Sequence, residues 1–211
     1  MAQYSSLPFD EQIQFFLPKL LVVTQRWDDL WQSAHDKAFT VAGAMSLSIL
    51  QDFQDTLDDM LTQGLTIDQF RDIFEDIVAK YGWTGWTGEG TEQGRAWRAR
   101  IIYETNLRTS YSAGRWQQIQ EVKSERPYLM YKHSDGEQYP RPLHMQWDNM
   151  ILPVDHWWWQ THYPPNGFGC KCQAYTLSDI DLEMRNLKIT PDDQIVPGDP
   201  DDGWGYIMGT T

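Results

Sequence analysis

Cysteine is almost missing from this 211-residue chain: there are two, at positions 170 and 172. Two thiols one residue apart cannot build a disulfide framework, so a reducing, intracellular setting is the default expectation. Positive charge is also short, with 17 Lys and Arg against 30 Asp and Glu and a net charge of -13. Such a field repels phosphate backbones and anionic lipid beyond the reach of a local patch, which argues against strong direct nucleic-acid binding. Long apolar runs are missing as well. None approaches the ~20 residues that cross a bilayer, and no basic region followed by an apolar stretch opens the chain. A soluble chain without a membrane anchor, not exported by these routes, is therefore expected.

What is abundant is aromatic surface: Phe, Trp and Tyr make up 14% of the chain, and Trp alone counts 11. Rings in that number need a core or a partner to cover them, which favours a protein–protein role. The length suffices for one sizeable core with a subsidiary lobe. After a short leader, Met1 to Leu7, the residues Phe9, Ile13, Phe16 and Leu17 fall at helical spacing until Pro18 breaks the helix. A second helix is predicted over 24–43, capped by Thr24, with Trp27, Leu30, Trp31, Ala34, Ala38 and Val41 on one stripe. His35 beside that stripe reads as a half-buried, hydrogen-bonded histidine. A third helix runs from Ser46 to Gln63, with Leu50, Phe53, Leu57 and Met60 inward. A fourth covers 66–81, where Thr66 and Gln69 make a capping box and Gly82 a left-handed C-cap.

The Gly- and Thr-rich stretch 82–94 follows no strand, so it reads as a boundary loop and not as a phosphate cradle. Residues 95–121 form a long helix with Asn106 and Thr109 on the same stripe as Ile102, Ala113 and Trp116. Specific polar contacts are expected along that face. Beyond Pro127 short strands are predicted at 128–135, 150–152 and 168–175. A helical turn at 144–148, a packed loop over 157–167 and a short helix around 177–187 lie among and after them.

The stretch 131–172 concentrates the chemistry, with four of the five histidines, both cysteines and the run Trp157 to Trp159. On extended backbone Cys170 and Cys172 project to the same side with Cα atoms ~6.5 Å apart. That is near the upper limit for a disulfide, yet suited to sharing one metal ion. A tetrahedral zinc site needs two more ligands, and His133, His144, Asp155, His156 and His162 are available. The preferred set is His144, Cys170 and Cys172 with Asp155 or His162 as the fourth. Two buried thiols acting as small hydrophobes fit the same CxC pattern. A further reading takes Cys170 or Cys172, His144 and Asp155 as nucleophile, base and orienter. The neighbouring Trp and Pro residues speak instead for rigid packing.

Three segments carry a resemblance: YETNLRTSYSAGRW (103–116), HSDGEQYPRPLHMQWDNMILP (133–153) and WWQTHYPPNGFGCKC (158–172). They resemble the domain of the phage Mu F-type minor head proteins, also called the phage head morphogenesis domain. LPFDEQIQFF and RWDDLWQSAHDKAFTVAGA resemble the helical region that precedes it. The family pattern falls on Arg141, His144, Asp155, Pro164, Pro165, Gly167, Cys170 and Cys172, with Lys171 where the family usually has Arg. The resemblance implies a protein of few copies in the interior of the virion head, near the portal, and in the host cytoplasm during assembly. Its implied partners are the portal protein and other capsid or scaffold proteins, and its implied work is head assembly or passage of DNA into the host. Members often continue past the point where this chain stops, so a truncated or short form is expected.

These readings predict an α+β protein in three parts. They are an N-terminal helical bundle over 1–94, a head-morphogenesis domain with a small β-containing Cys/His/Trp-rich lobe over 95–190, and an acidic Pro/Gly-rich tail over 191–211. The expected function is that of a structural minor head protein, not an enzyme, with zinc the one cofactor the residues suggest. One alternative is a metal-dependent hydrolase or toxin-like enzyme using the same His/Asp/Cys cluster. Another is an assembly factor that is not retained in the virion.

Overall fold

The computed structural model describes residues 9–136 and 140–210; the expected leader, Met1 to Leu7, lies outside them. The fold is α+β, as expected, and divides into two compact units, residues 1–114 with 208–211 and residues 115–207. The boundary expected at residue 94 falls inside the first unit. Among the described residues no helix is long and apolar enough to cross a membrane.

Unit 1 opens with α1 (Asp10–Phe16) and a two-residue parallel pair, β1 (Leu20–Leu21) and β2 (Ala38–Phe39), with α2 (Ala34–Lys37) between them. It continues with α3 (Leu47–Gln63), α4 (Ile67–Tyr81) and most of α5 (Glu92–Val122). Local chemistry sets the ends of α3 and α4. Ser46 accepts from the Ser48 amide, Thr66 and Gln69 exchange both bonds of a capping box, and Gly64 and Gly82 adopt φ of 77° and 57°. Between the two helices Phe53 meets Phe70, Phe74 and Trp83 at centroid distances of 6.4, 5.9 and 5.8 Å. With Leu50, Leu57, Met60 and Trp86 these rings form one core.

The helix expected over 24–43 does not form; only the single turn of α2 survives. Asp29 Oδ2 accepts from the Gln25 and Arg26 amides at 2.8 and 2.9 Å, engaging N–H groups in a local turn in place of a helix. Thr24, the expected cap, meets the Thr40 hydroxyl at 2.6 Å instead. His35 is half-buried with Nε2 3.2 Å from Leu30 O, as its sequence context suggested.

In α5 no residue from Ile101 to Ser110 is exposed, so its polar side chains need internal partners. Gln12 of α1 donates Nε2 to Leu107 O at 3.0 Å and to Ser110 Oγ at 2.9 Å, and Ser110 donates to Asn106 O at 2.6 Å. The approach is tight: a Cβ on Gly114 would lie 2.8 Å from the Gln12 amide nitrogen.

Unit 2 holds the end of α5, then β3 (Tyr128–Lys132), α6 (Pro142–Gln146), β4 (Ile151–Pro153), α7 (Trp159–His162), β5 (Gln173–Leu177) and α8 (Asp179–Met184). β3 is the middle strand of an antiparallel sheet, ordered β4-β3-β5. Its alternation feeds two cores. Leu129 and Tyr131 join Trp147, Trp158, Trp159, Cys170 and Cys172 on one face, while Met130 meets Ile151 and Leu177 on the other.

Two expectations shift here. The run from Trp157, expected as a loop, contains the turn of α7. The last strand begins at Gln173 and not Phe168, because residues 167–170 form a tight turn with Gly169 at φ 72° and the Cys170 amide donating to Gly167 O at 3.1 Å. Part of the expected tail is packed: Ile195, Val196 and Ile207 lie on the tryptophan core, and the Trp147 indole donates to Val196 O at 3.0 Å.

The capping box on α4 gives a first test. Thr66→Ala should lower the unfolding free energy by about 1 kcal/mol, seen as a lower denaturant midpoint at unchanged slope. Thr66→Ser should hold most of it, and an unchanged midpoint in Thr66→Ala would mean the cap contributes nothing.

Candidate functional site

The buried face of unit 2 gathers sulfur and imidazole from three separate pieces of chain. His133 follows β3 directly, and its amide donates to Asp148 Oδ1 at 2.8 Å while Lys132 Nζ holds Asp148 Oδ2 at 2.8 Å. His144 sits in α6, which Pro142 starts, and its ring stacks on Trp147 at 5.3 Å. Cys170 and Cys172 come from the turn before β5. The β3–β5 ladder ends at Lys132 opposite Gln173, so one further step sets His133 opposite Cys172.

The atoms converge. His144 Nδ1 lies 3.6 Å from Cys170 Sγ and 3.7 Å from Cys172 Sγ, and His133 Nδ1 lies 3.6 Å from Cys172 Sγ. The ligand atoms of His144, Cys170 and Cys172 all lie within 4.8 Å of one another, and all four side chains are buried. The Cys170 thiol is held well below its ordinary range by a hydrogen bond from Cys172, then by His144 and the Asn166 amide, all against the opposing effect of burial. Tyr131 hydrogen-bonds to Cys172 through its hydroxyl, which also accepts from Asn166 Nδ2 at 3.2 Å. Burial, then the neighbouring sulfurs, push that phenol far above its usual range.

Two members of the preferred set are elsewhere. Asp155 follows the outward turn at Pro153, leaves its side chain 75% exposed and pairs with Lys123 at 2.8 Å. Its carboxylate therefore serves neither as fourth ligand nor as orienter of a Cys–His pair. His162 is buried but committed: Nε2 lies 2.9 Å from Gly198 O and Nδ1 2.7 Å from the Thr161 hydroxyl. Its ring stacks on Trp158 at 4.3 Å, and burial lowers its pKa. Both ring nitrogens are thus occupied. His156 faces Asp192 at 3.3 Å. The undervalued residue was His133, and the readable signal was period two along β3, which sets it on the same side as Leu129 and Tyr131.

A clasp braces the turn that carries the cysteines. Arg141 Nη2 donates to Phe168 O at 2.8 Å and to Asp201 Oδ2 at 2.9 Å. Gly167 leaves room for this clasp: a Cβ there would lie 2.1 Å from Asp201 Oδ2 and would push the carboxylate away from Arg141. Pro164 and Pro165, joined by a cis peptide, are buried just before it.

Residues 51–175, more than half of the chain, match the model of the family described as phage Mu protein F like protein. The chain belongs to that family. Among curated relatives, the putative capsid assembly protein F of Escherichia phage Mu is 32% identical over 199 residues, which are 90% of this chain and 45% of that protein. The Mu-like prophage FluMu F protein of Haemophilus influenzae is 31% identical over 175 residues, 81% of this chain and 42% of that protein. The chain thus spans less than half the length of these curated relatives. No solved structure matches. Within this Mu F-like chain the motif positions do different work: Arg141 and Gly167 shape the turn, His144, Cys170 and Cys172 converge, and Asp155 lies outside the cluster.

That division is testable. Gly167→Ala should lower stability by about 1–3 kcal/mol through overpacking, while Asp155→Ala should leave the denaturant midpoint within experimental scatter. Equal losses would mean that Asp155 is held by more than its surface ion pair.

Proposed function

We propose that this chain is a structural component of a phage head that acts in capsid assembly as a minor, portal-associated protein. The observation that carries the proposal is the match of residues 51–175 to the Mu F-like family, together with likeness to a relative named as a putative capsid assembly protein. The chemistry of the site is in keeping with a scaffold. Its sulfur and imidazole groups are buried, and the carboxylate that an acid–base or nucleophilic constellation would require points to solvent. The hydrolase alternative finds no support in these comparisons.

The surface suits a partner made of protein. Trp27 and Trp31 lie 6.4 Å apart and half exposed, and Trp97 and Trp157 also present rings to solvent. A net charge of -13 keeps such a surface from adhering to packaged DNA while leaving local contacts free to form. Residence inside the head near the portal, and a part in DNA ejection, are further steps of the same proposal.

Mass spectrometry of purified proheads and mature particles tests it, with co-purification against the portal protein as the second arm. The chain should be present in both particles at far fewer copies than the shell protein, and should be retained by the portal. Presence in proheads alone would make it a transient assembly factor. Absence from both, with normal head yield after deletion, would overturn the head role.

A further inference from the structure

We propose that His144, Cys170 and Cys172 hold a zinc ion that locks the sheet of unit 2, with His133, which lies against Cys172, drawn in as the fourth ligand to close a tetrahedral site. Neither the family match nor the head-assembly reading enters this proposal, which stands on distances alone. Zinc with sulfur at ~2.3 Å and nitrogen at ~2.05 Å in tetrahedral array sets S···N edges of ~3.5–3.6 Å. The three S···N separations here are 3.6, 3.7 and 3.6 Å. Ordinary thiol–imidazole hydrogen bonds account for such distances one at a time. Here one imidazole nitrogen, His144 Nδ1, faces two sulfurs while a second imidazole faces one of the same sulfurs, and a ring nitrogen with one proton or one lone pair meets both sulfurs only through a weaker three-centre bond. A cation at the point shared by His144, Cys170 and Cys172 satisfies those three, and His133, already against Cys172, needs only to turn toward it to complete the set.

The surroundings are those of a metal-bound thiolate pair. The Asn166 amide hydrogen-bonds to Cys170 and the Tyr131 hydroxyl to Cys172, so each sulfur has a donor besides its imidazole contacts. Two nitrogens and two sulfurs select zinc over hard cations, and four protein ligands leave no position for a substrate, so the site is structural. It joins the end of β3, α6 and the turn before β5, segments that the chain separates by up to 39 residues, so it closes long loops.

The test uses the full chain purified anaerobically under reducing conditions without chelator. Elemental analysis should find one zinc per chain, and cobalt substitution should give thiolate charge-transfer and tetrahedral d–d bands. Stripping the metal should lower the thermal midpoint, and zinc alone should restore it. His133→Ala should weaken zinc binding by more than the ~10–100-fold expected for Tyr131→Phe, an outer-shell change, while Asp155→Asn should bind zinc unchanged. Because Cys170→Ser or Cys172→Ser could unfold the chain, the wild-type metal content and cobalt spectrum decide first. Metal-free folded protein with two titratable thiols, or with a Cys170–Cys172 disulfide, would overturn the site. Full occupancy and an unchanged cobalt spectrum in His133→Ala would remove His133 as the fourth ligand and overturn the closed tetrahedral set.

Discussion

The antiparallel ladder between β3 and β5 is the constraint on which unit 2 depends. Its five pairs, from Tyr128 opposite Leu177 to Lys132 opposite Gln173, fix which side chains face each other beyond its end. A slip of one residue would turn Leu129, Tyr131 and His133 from the tryptophan core to the opposite face and carry Cys172 away from its imidazole. The register is held from both sides, because Met130 fills a second core with Ile151 and Leu177. It is also pinned at the Tyr128 end, where Arg126 donates to Thr176 Oγ1 and Thr176 O at 2.8 Å each.

Around that ladder the aromatic residues supply rigidity in place of bulk alone. Trp147 is packed edge to face by Tyr131, Trp158 and His162 at 5.8, 5.4 and 5.0 Å, while His144 stacks on it. Rings with two torsions lose little freedom on burial and resist rearrangement. The abundance of tryptophan thus has a local use here: it holds α6 and α7 at fixed heights above the sheet. Arg141 then fixes the cysteine turn from outside through Phe168 O and Asp201.

How far the sequence could be read depended on how local the deciding interaction was. α4 was legible to the residue, because its start is a reciprocal bond between Thr66 and Gln69 and its end a left-handed Gly82. The polar stripe of α5 was legible in kind but not in partner: nothing near Ser110 names Gln12, which is 98 positions away. Over 24–43 the helical stripe competes with an Asp29 carboxylate that captures two amides, and short polar side chains win such contests at the edge of a core. At the site, the cysteines and His144 could be picked by residue type. Asp155 has the right type but lies at the surface with Lys123, because type carries no information on which way a turn faces after Pro153. His133 is among the available histidines by type, and counting along β3 in twos sets it on the face of Leu129 and Tyr131.

The same geometry separates a scaffold from a catalyst. A reactive cysteine needs a thiolate, a base free to move a proton and a path for the substrate. Cys172, His144 and the Asn166 amide all pull the Cys170 thiol below its ordinary range. Cys170 is 1% exposed within the tryptophan core, and its imidazole neighbour already lies against both sulfurs. Groups arranged this way stabilise one another and the fold that encloses them, and the tension between a low thiol pKa and near-complete burial is relieved by contacts inside the cluster. Trp27, Trp31, Trp97 and Trp157 stay exposed outside these cores, so substitutions there can alter the exterior without disturbing the packing that presents it.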